Sequence, residues 1–217
     1  MVPPSRNSVN YLTKSLAPLV ERRTYKNALY LVLSFPLGFL YSTFLGFGFV
    51  FGVGLSFIVF GIFILGLLLF SIQLLTVFER WLSAALLGVE IEPPDDVVPT
   101  ETLYDSVKIR VDAGSTWRGL GFLTLKIWFG IVGILLLIAF STAFSMVSAV
   151  VRRPHEIEFG ELNGEPVVWT VETLPETALV VVIGLVGMIF LAHLANGFAY
   201  VAGRMSITLL GACRSET

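Results

Sequence analysis

The chain lacks most of the residue types from which catalytic and metal sites are built. Its 217 residues include one cysteine, Cys213, and two histidines. A lone cysteine excludes an internal disulfide, and with two histidines it cannot supply the four ligands of a structural zinc site. Charged residues are only 14% of the chain and the net charge is −2, which excludes the basic face that nucleic acids require. There is no phosphate-binding loop, no nucleophile–base pair and no acidic pattern of the EF-hand type. The sequence therefore predicts no catalytic residue, no cofactor, no metal and no nucleic-acid partner, and it predicts that the protein is not an enzyme. The longest polar stretch, Glu79 to Lys126, is rich in turn formers and too short for a separate catalytic domain.

Charge is missing above all from one region. The 52 residues from Asn27 to Phe78 contain no Asp, Glu, Lys, Arg or His. A hydrocarbon core about 30 Å thick needs ~20 apolar residues per helix, so this run fits two spans. Two more uncharged stretches follow, Ile127–Val151 and Thr177–Gly203, the latter interrupted only by His193. Gly46, Gly48, Gly52 and Gly54 mark the expected reversal inside the first run. The expected spans are about 28–47, 52–77, 127–151 and 177–201. They are flanked by a tail over 1–23, a loop over 79–126, an outer loop over 152–175 and a tail over 212–217. The first span is too long for a signal-peptide core and is expected to remain as an anchor. Hydrophobic residues make up 55% of the chain and mean hydropathy is +0.84, as a multi-pass protein of the cell membrane requires.

Lys and Arg placement predicts the orientation. Twelve fall in the N-terminal tail, the 79–126 loop and the C-terminal end, whereas the outer loop holds only Arg152 and Arg153. Both termini are thus expected in the cytoplasm. Tyr25-Lys26, Arg80-Trp81 and Trp117-Arg118 read as interfacial anchors, with aromatic rings at headgroup level and basic side chains snorkelling. Ser115 or Thr116 reads as a helix N-cap.

An internal repeat is legible. Thr24-Tyr25-Lys26 matches Thr116-Trp117-Arg118, Tyr30-Leu31 matches Phe122-Leu123, and Gly38 matches Gly130. Leu86-Leu87-Gly88 matches Leu209-Leu210-Gly211. The expected fold is an all-α membrane protein of four transmembrane helices. They form two parallel-repeat hairpins, related by an axis along the membrane normal. Interfacial helices and a small extracellular β-hairpin complete it. The β-hairpin follows from His155–Phe159 and Val167–Val171, which flank the turn dipeptide Asn163-Gly164. Its His155, Glu156, Glu158, Glu161, Glu165, Trp169 and Glu172 form the candidate region for a ligand or partner, against the alternative of a plain connector. His193 and Asn196 are the intramembrane polar candidates, although a single histidine with no acidic partner in any span does not make a proton relay.

The order and spacing of several motifs carry a resemblance. Tyr30-Leu31…Phe35-Pro36-Leu37-Gly38 is followed by Glu79-Arg80…Ala84-Ala85-Leu86-Leu87-Gly88-Val89 with Pro93-Pro94. Thr116-Trp117-Arg118…Phe122-Leu123 and Thr173-Leu174-Pro175-Glu176-Thr177-Ala178-Leu179 complete the set. Over residues 24–211 the chain resembles the putative sensor domain family, four-helix membrane modules of actinobacterial and haloarchaeal proteins, often N-terminal to a histidine kinase. The resemblance implies a membrane sensor. No kinase domain follows the fourth span before Thr217, so the implied partner is a separate histidine kinase or regulator in the cytoplasm, with the bilayer itself as the other partner. A homo-oligomer, a small oligomeric transporter or channel, and a structural membrane subunit are the alternatives.

Overall fold

The structure is a computed structural model and describes residues 19, 21–57, 59–97, 102–148, 150–151, 155–163, 165–171 and 173–212. Its elements are α1 (Arg22–Gly54), α2 (Val59–Leu87), α3 (Leu103–Asp112), α4 (Gly114–Ser148), β1 (His155–Leu162), β2 (Glu165–Val171) and α5 (Leu174–Leu210). Four of these helices, α1, α2, α4 and α5, are long and apolar enough to cross a membrane. Many of their large side chains point outward, among them Phe39, Phe44, Phe60, Phe63, Phe144 and Phe190. A helix that is apolar on every side needs an apolar solvent, which is what a bilayer supplies.

Residues 26–134 and 197–217 make one compact unit, and residues 1–25 and 135–196 another. The first unit has a core of Tyr41, Leu45, Leu68, Ile72, Phe122, Leu123 and Leu210. In it α1 and α2 form a tight antiparallel pair, but the reversal comes later than the sequence predicts. Helix α1 runs on through Gly46, Gly48 and Gly52, and the chain turns after Gly54, where Leu55 N–H bonds Phe51 C=O and Ser56 N–H bonds Val53 C=O. The glycines serve packing instead. Side chains at Gly48 and Gly52 would strike Leu68 and Leu65 of α2. A small-residue pair four positions apart lets two helices approach closely without breaking either.

The expected 79–126 loop is mostly helical. It holds the last turns of α2, all of α3 and the first turns of α4. Helix α2 ends where Gly88, at φ +66°, takes the left-handed conformation and donates its N–H to Ala84 C=O. Gly211 donates in the same way to Ile207 C=O after α5. Helix α3 lies along α2: Val107 faces Gly66, and Arg110 donates from Nε to Gln73 Oε1 at 3.0 Å with its guanidinium over the Phe70 ring. The cap of α4 is not Ser115 or Thr116. Asp96, 19 residues upstream, accepts the Ser115 N–H at 2.8 Å.

Positions matched within the sequence share their burial. Tyr30 and Leu31 are buried, as are Phe122 and Leu123, while Tyr25 and Trp117 are both exposed. Gly38 seats on the backbone of Lys126 and Ile127, and Gly130 on the backbone of Ser34 and Phe35. The order of these contacts reverses, since Gly133 meets Leu31. At this crossing α1 and α4 therefore pass in opposite senses, about a local twofold that lies across the helices. The sequence predicts an axis along them. Matching motifs specify similar surfaces, but close glycine contacts fix how those surfaces meet.

In the second unit Gly184 of α5 packs on Ala143, Met146 and Val147 of α4. At the start of α5 the Glu176 carboxylate accepts the Thr173 N–H at 3.2 Å, the back-bond half of a capping box. Strands β1 and β2 pair antiparallel, with Leu162 opposite Glu165 across a two-residue turn and an irregularity between Glu158 and Glu161. Asn163 has φ +57°, as the first position of a type I′ turn needs, and Gly160 has φ +112° at the irregularity.

Candidate functional site

The sequence treats Glu79 and Lys126 as the charged edges of apolar spans. The structure brings them together inside the first unit. Lys126 Nζ lies 2.5 Å from Glu79 Oε2, and neither side chain has any exposed surface. Tyr41 donates its hydroxyl to Glu79 Oε1 at 2.9 Å, so both carboxylate oxygens are engaged. The Lys126 ammonium also sits 4.0 Å from the centroid of the Tyr30 ring and 5.7 Å from that of Phe122. Cation–π attraction supplements the ion pair where water is excluded.

The network continues through hydroxyls. Tyr30 and Ser83 hydroxyls are 3.4 Å apart; Ser83 donates to Ser206 Oγ at 3.1 Å, and Ser206 donates to Ala202 C=O at 2.9 Å. Helices α1, α2, α4 and α5 thus share one buried polar cluster. Local geometry explains its burial: Gly38 and Gly130 bring the α1 and α4 backbones together one turn from Ser34 and Lys126, and neither charged side chain reaches the surface. Desolvating two charges costs several kcal/mol per ion, which mutual attraction only roughly offsets. A pair held at that cost is a weak stabiliser, and its positions are ones where a small displacement changes energy steeply.

The residues singled out from sequence lie elsewhere. His193 is exposed on α5, its Nδ1 2.9 Å from Ile189 C=O, and takes no part in the cluster. Asn196 is half-buried and donates to Thr24 Oγ1 at 3.0 Å, tying α5 to the start of α1 within the second unit. Tyr25 donates its hydroxyl to Leu19 C=O and Trp117 its indole N–H to Val111 C=O, while Lys26 and Trp81 are exposed. Arg118 bonds Gly114 C=O within its own helix. Arg80 is half-buried rather than snorkelling, and donates to Leu210 C=O at 3.4 Å. On the β-hairpin, Glu165 is exposed; the side chains of His155, Glu156, Glu158, Glu161 and Trp169, and the whole of Glu172, lie outside the described structure. So do Arg152, Arg153, Gly164 and Cys213.

Sequence reasoning missed Glu79, Lys126, Tyr41 and Tyr30 because a single charge at the end of an apolar run reads as its boundary. One signal was available. Glu79 and Lys126 each follow an apolar stretch and are each succeeded by another, and a complementary pair so placed is a candidate for burial.

The family described as Putative sensor matches residues 4–210. No curated protein and no solved structure matches the chain.

Proposed function

The chain belongs to the Putative sensor family, and from that premise we propose that it is a membrane sensor module that passes an external or bilayer-derived signal to a separate cytoplasmic histidine kinase or regulator. It performs no chemistry itself. The observation that carries this reading is the water-free Glu79–Lys126 pair, capped by Tyr41 and Tyr30 and reaching Ser206 of α5. A sensor needs an element with two states that a stimulus biases differently. Here one state has the pair closed; in the other, α4 has shifted on α1 and α2, the pair is strained or hydrated, and helix α3, which precedes α4, moves with it. That helix is the output. The charge bias puts both termini in the cytoplasm in this reading, whereas the antiparallel crossing of α1 and α4 favours opposite senses for those two helices. With Lys126 neutralised by its partner, eleven of the twelve basic residues remain to set the orientation.

The test is affinity capture of the full-length protein from its native membrane, with wild type beside Lys126→Met. Reproducible recovery of one kinase or regulator by wild type, altered in the variant, supports the reading. Recovery of no signalling protein counts against it.

The same ion pair favours a second reading, a small transporter or channel, because buried charges within spans mark ion and proton pathways in such proteins. Reconstituted liposomes separate the two. Ion or proton flux carried by wild type and lost in the stability-restored Glu79→Leu, Lys126→Met double variant would establish transport and displace the signalling proposal.

A further inference from the structure

Beside the Glu79 cluster, the first unit contains a second polar site. A cavity of about 180 Å³ opens between α2, the first turn of α4 and the connecting chain after α2. Arg80 and Gln73 line it from α2, Ser115 and Thr116 from α4, and Pro94 and Val97 from the connection.

Its polar groups have unspent capacity of one kind. Thr116 is 2% exposed, yet its hydroxyl has no hydrogen-bond partner among the described residues, whereas buried polar atoms are nearly always paired. Arg80 carries five N–H donors, and its one hydrogen bond among the described residues is the long contact to Leu210 C=O at 3.4 Å. Gln73 accepts from Arg110 through Oε1, which leaves its amide nitrogen to donate. No carboxylate lines the cavity. Glu79, next to Arg80 in sequence, is engaged by Lys126 and Tyr41, and Asp96 is engaged by Ser115. The site therefore presents a cation and several donors with no acid to meet them, against apolar walls.

We propose that this cavity binds the oxyanion of a phosphate-bearing ligand. Arg80 supplies the charge, the Thr116 hydroxyl and Gln73 amide supply neutral hydrogen bonds, and Pro94 and Val97 cover the ligand's apolar part. A charge-assisted contact of a half-buried guanidinium to phosphate is the strongest interaction these groups can make. Phosphate chemistry is shared by the headgroup of an anionic lipid and by a free phosphate or soluble phosphate ester. The proposal rests on the cavity alone and does not depend on the signalling reading.

The experiment uses the full-length protein in detergent, probed by inorganic phosphate and separately by mixed micelles containing phosphatidylglycerol or phosphatidylcholine. Calorimetry and thermal unfolding are the readouts. Wild type, Arg80→Gln and Thr116→Val are compared. Thr116→Val should unfold no more readily than wild type without ligand, because it removes an unpaired buried hydroxyl, yet lose about tenfold in affinity with the loss of one hydrogen bond to a charged group. Arg80→Gln should abolish binding; if that variant does not fold, Thr116→Val decides. Binding of inorganic phosphate assigns a free phosphate ligand. Binding of phosphatidylglycerol over phosphatidylcholine, without a phosphate response, assigns a lipid headgroup. No response to either probe, or an equal response in wild type and Thr116→Val, overturns the proposal.

Discussion

Glu79 and Lys126 stand 47 positions apart in the chain and meet as an ion pair from which water is wholly excluded. Each lies on a helix that is otherwise apolar for many turns, and each has aromatic or hydroxyl neighbours that complete its coordination. The pair makes the energetics of the first unit unusually dependent on a single contact.

Removing one member should be far worse than removing both. Lys126→Met leaves the Glu79 carboxylate buried with only Tyr41 and should destabilise by about 3–5 kcal/mol, whereas replacing both by Glu79→Leu and Lys126→Met should recover most of that loss. Thermal unfolding of the purified variants in one detergent gives the comparison. Additive losses in the double variant would show that the two residues act independently.

Tyr41→Phe removes one hydrogen bond to Glu79 and keeps the ring in the core. The expected loss is about 1.5–3 kcal/mol, less than that of Lys126→Met, because the carboxylate keeps its counter-ion. An effect equal to that of Lys126→Met would mean that Tyr41 rather than Lys126 anchors the carboxylate.

Gly130→Ala places a methyl group against the Phe35 backbone, where nothing flexible can yield. Overpacking of this kind costs about 1–3 kcal/mol and should also loosen the Glu79–Lys126 contact one turn away. Gly121→Ala is the control: a Cβ there meets nothing, and alanine's better helix propensity should leave stability equal or raise it by up to ~1 kcal/mol. Matching behaviour of the two variants would contradict the close crossing.

Acid should fray the start of α4. Burial works against charge on Asp96, but hydrogen bonds from Ser115 and the nearby Arg118 outweigh it and hold the carboxyl below its ordinary value of 3.8. A depressed carboxyl contributes stability that is present above its ordinary value and is lost as pH falls through the folded one. Hydrogen exchange at the Ser115 amide should therefore accelerate, beyond its intrinsic pH dependence, only below the usual carboxylate range. In Asp96→Asn that extra acceleration should vanish.

Cys213, the one thiol in the chain, reports orientation. A membrane-impermeant maleimide should label it only after permeabilisation of cells, and a cysteine placed at Glu165 in a Cys213→Ser background should label from outside. Cys213 labelling from outside with the site at Glu165 protected would overturn the orientation read from charge, whereas both sites labelling from the same side would show that α5 does not cross the bilayer.

The long uncharged runs were enough to establish the class. No packing arrangement in water accommodates four helices whose outward faces are Phe, Leu and Val, so composition alone determined an α-helical membrane protein with four long apolar helices. The Asn163-Gly164 dipeptide likewise determined the β-hairpin turn, because few residues besides these tolerate φ near +57°. Tertiary structure decided the remainder. Whether Gly48 and Gly52 turn the chain or pack it depends on Leu65 and Leu68 lying opposite. Whether Glu79 and Lys126 are the edges of spans or a buried pair depends on α4 packing closely on both α1, through Gly38 and Gly130, and α2, through Gly119 against Thr76. Hydropathy counts charges one at a time, whereas burial is decided by a partner 47 residues away, and only the folded chain supplies that partner.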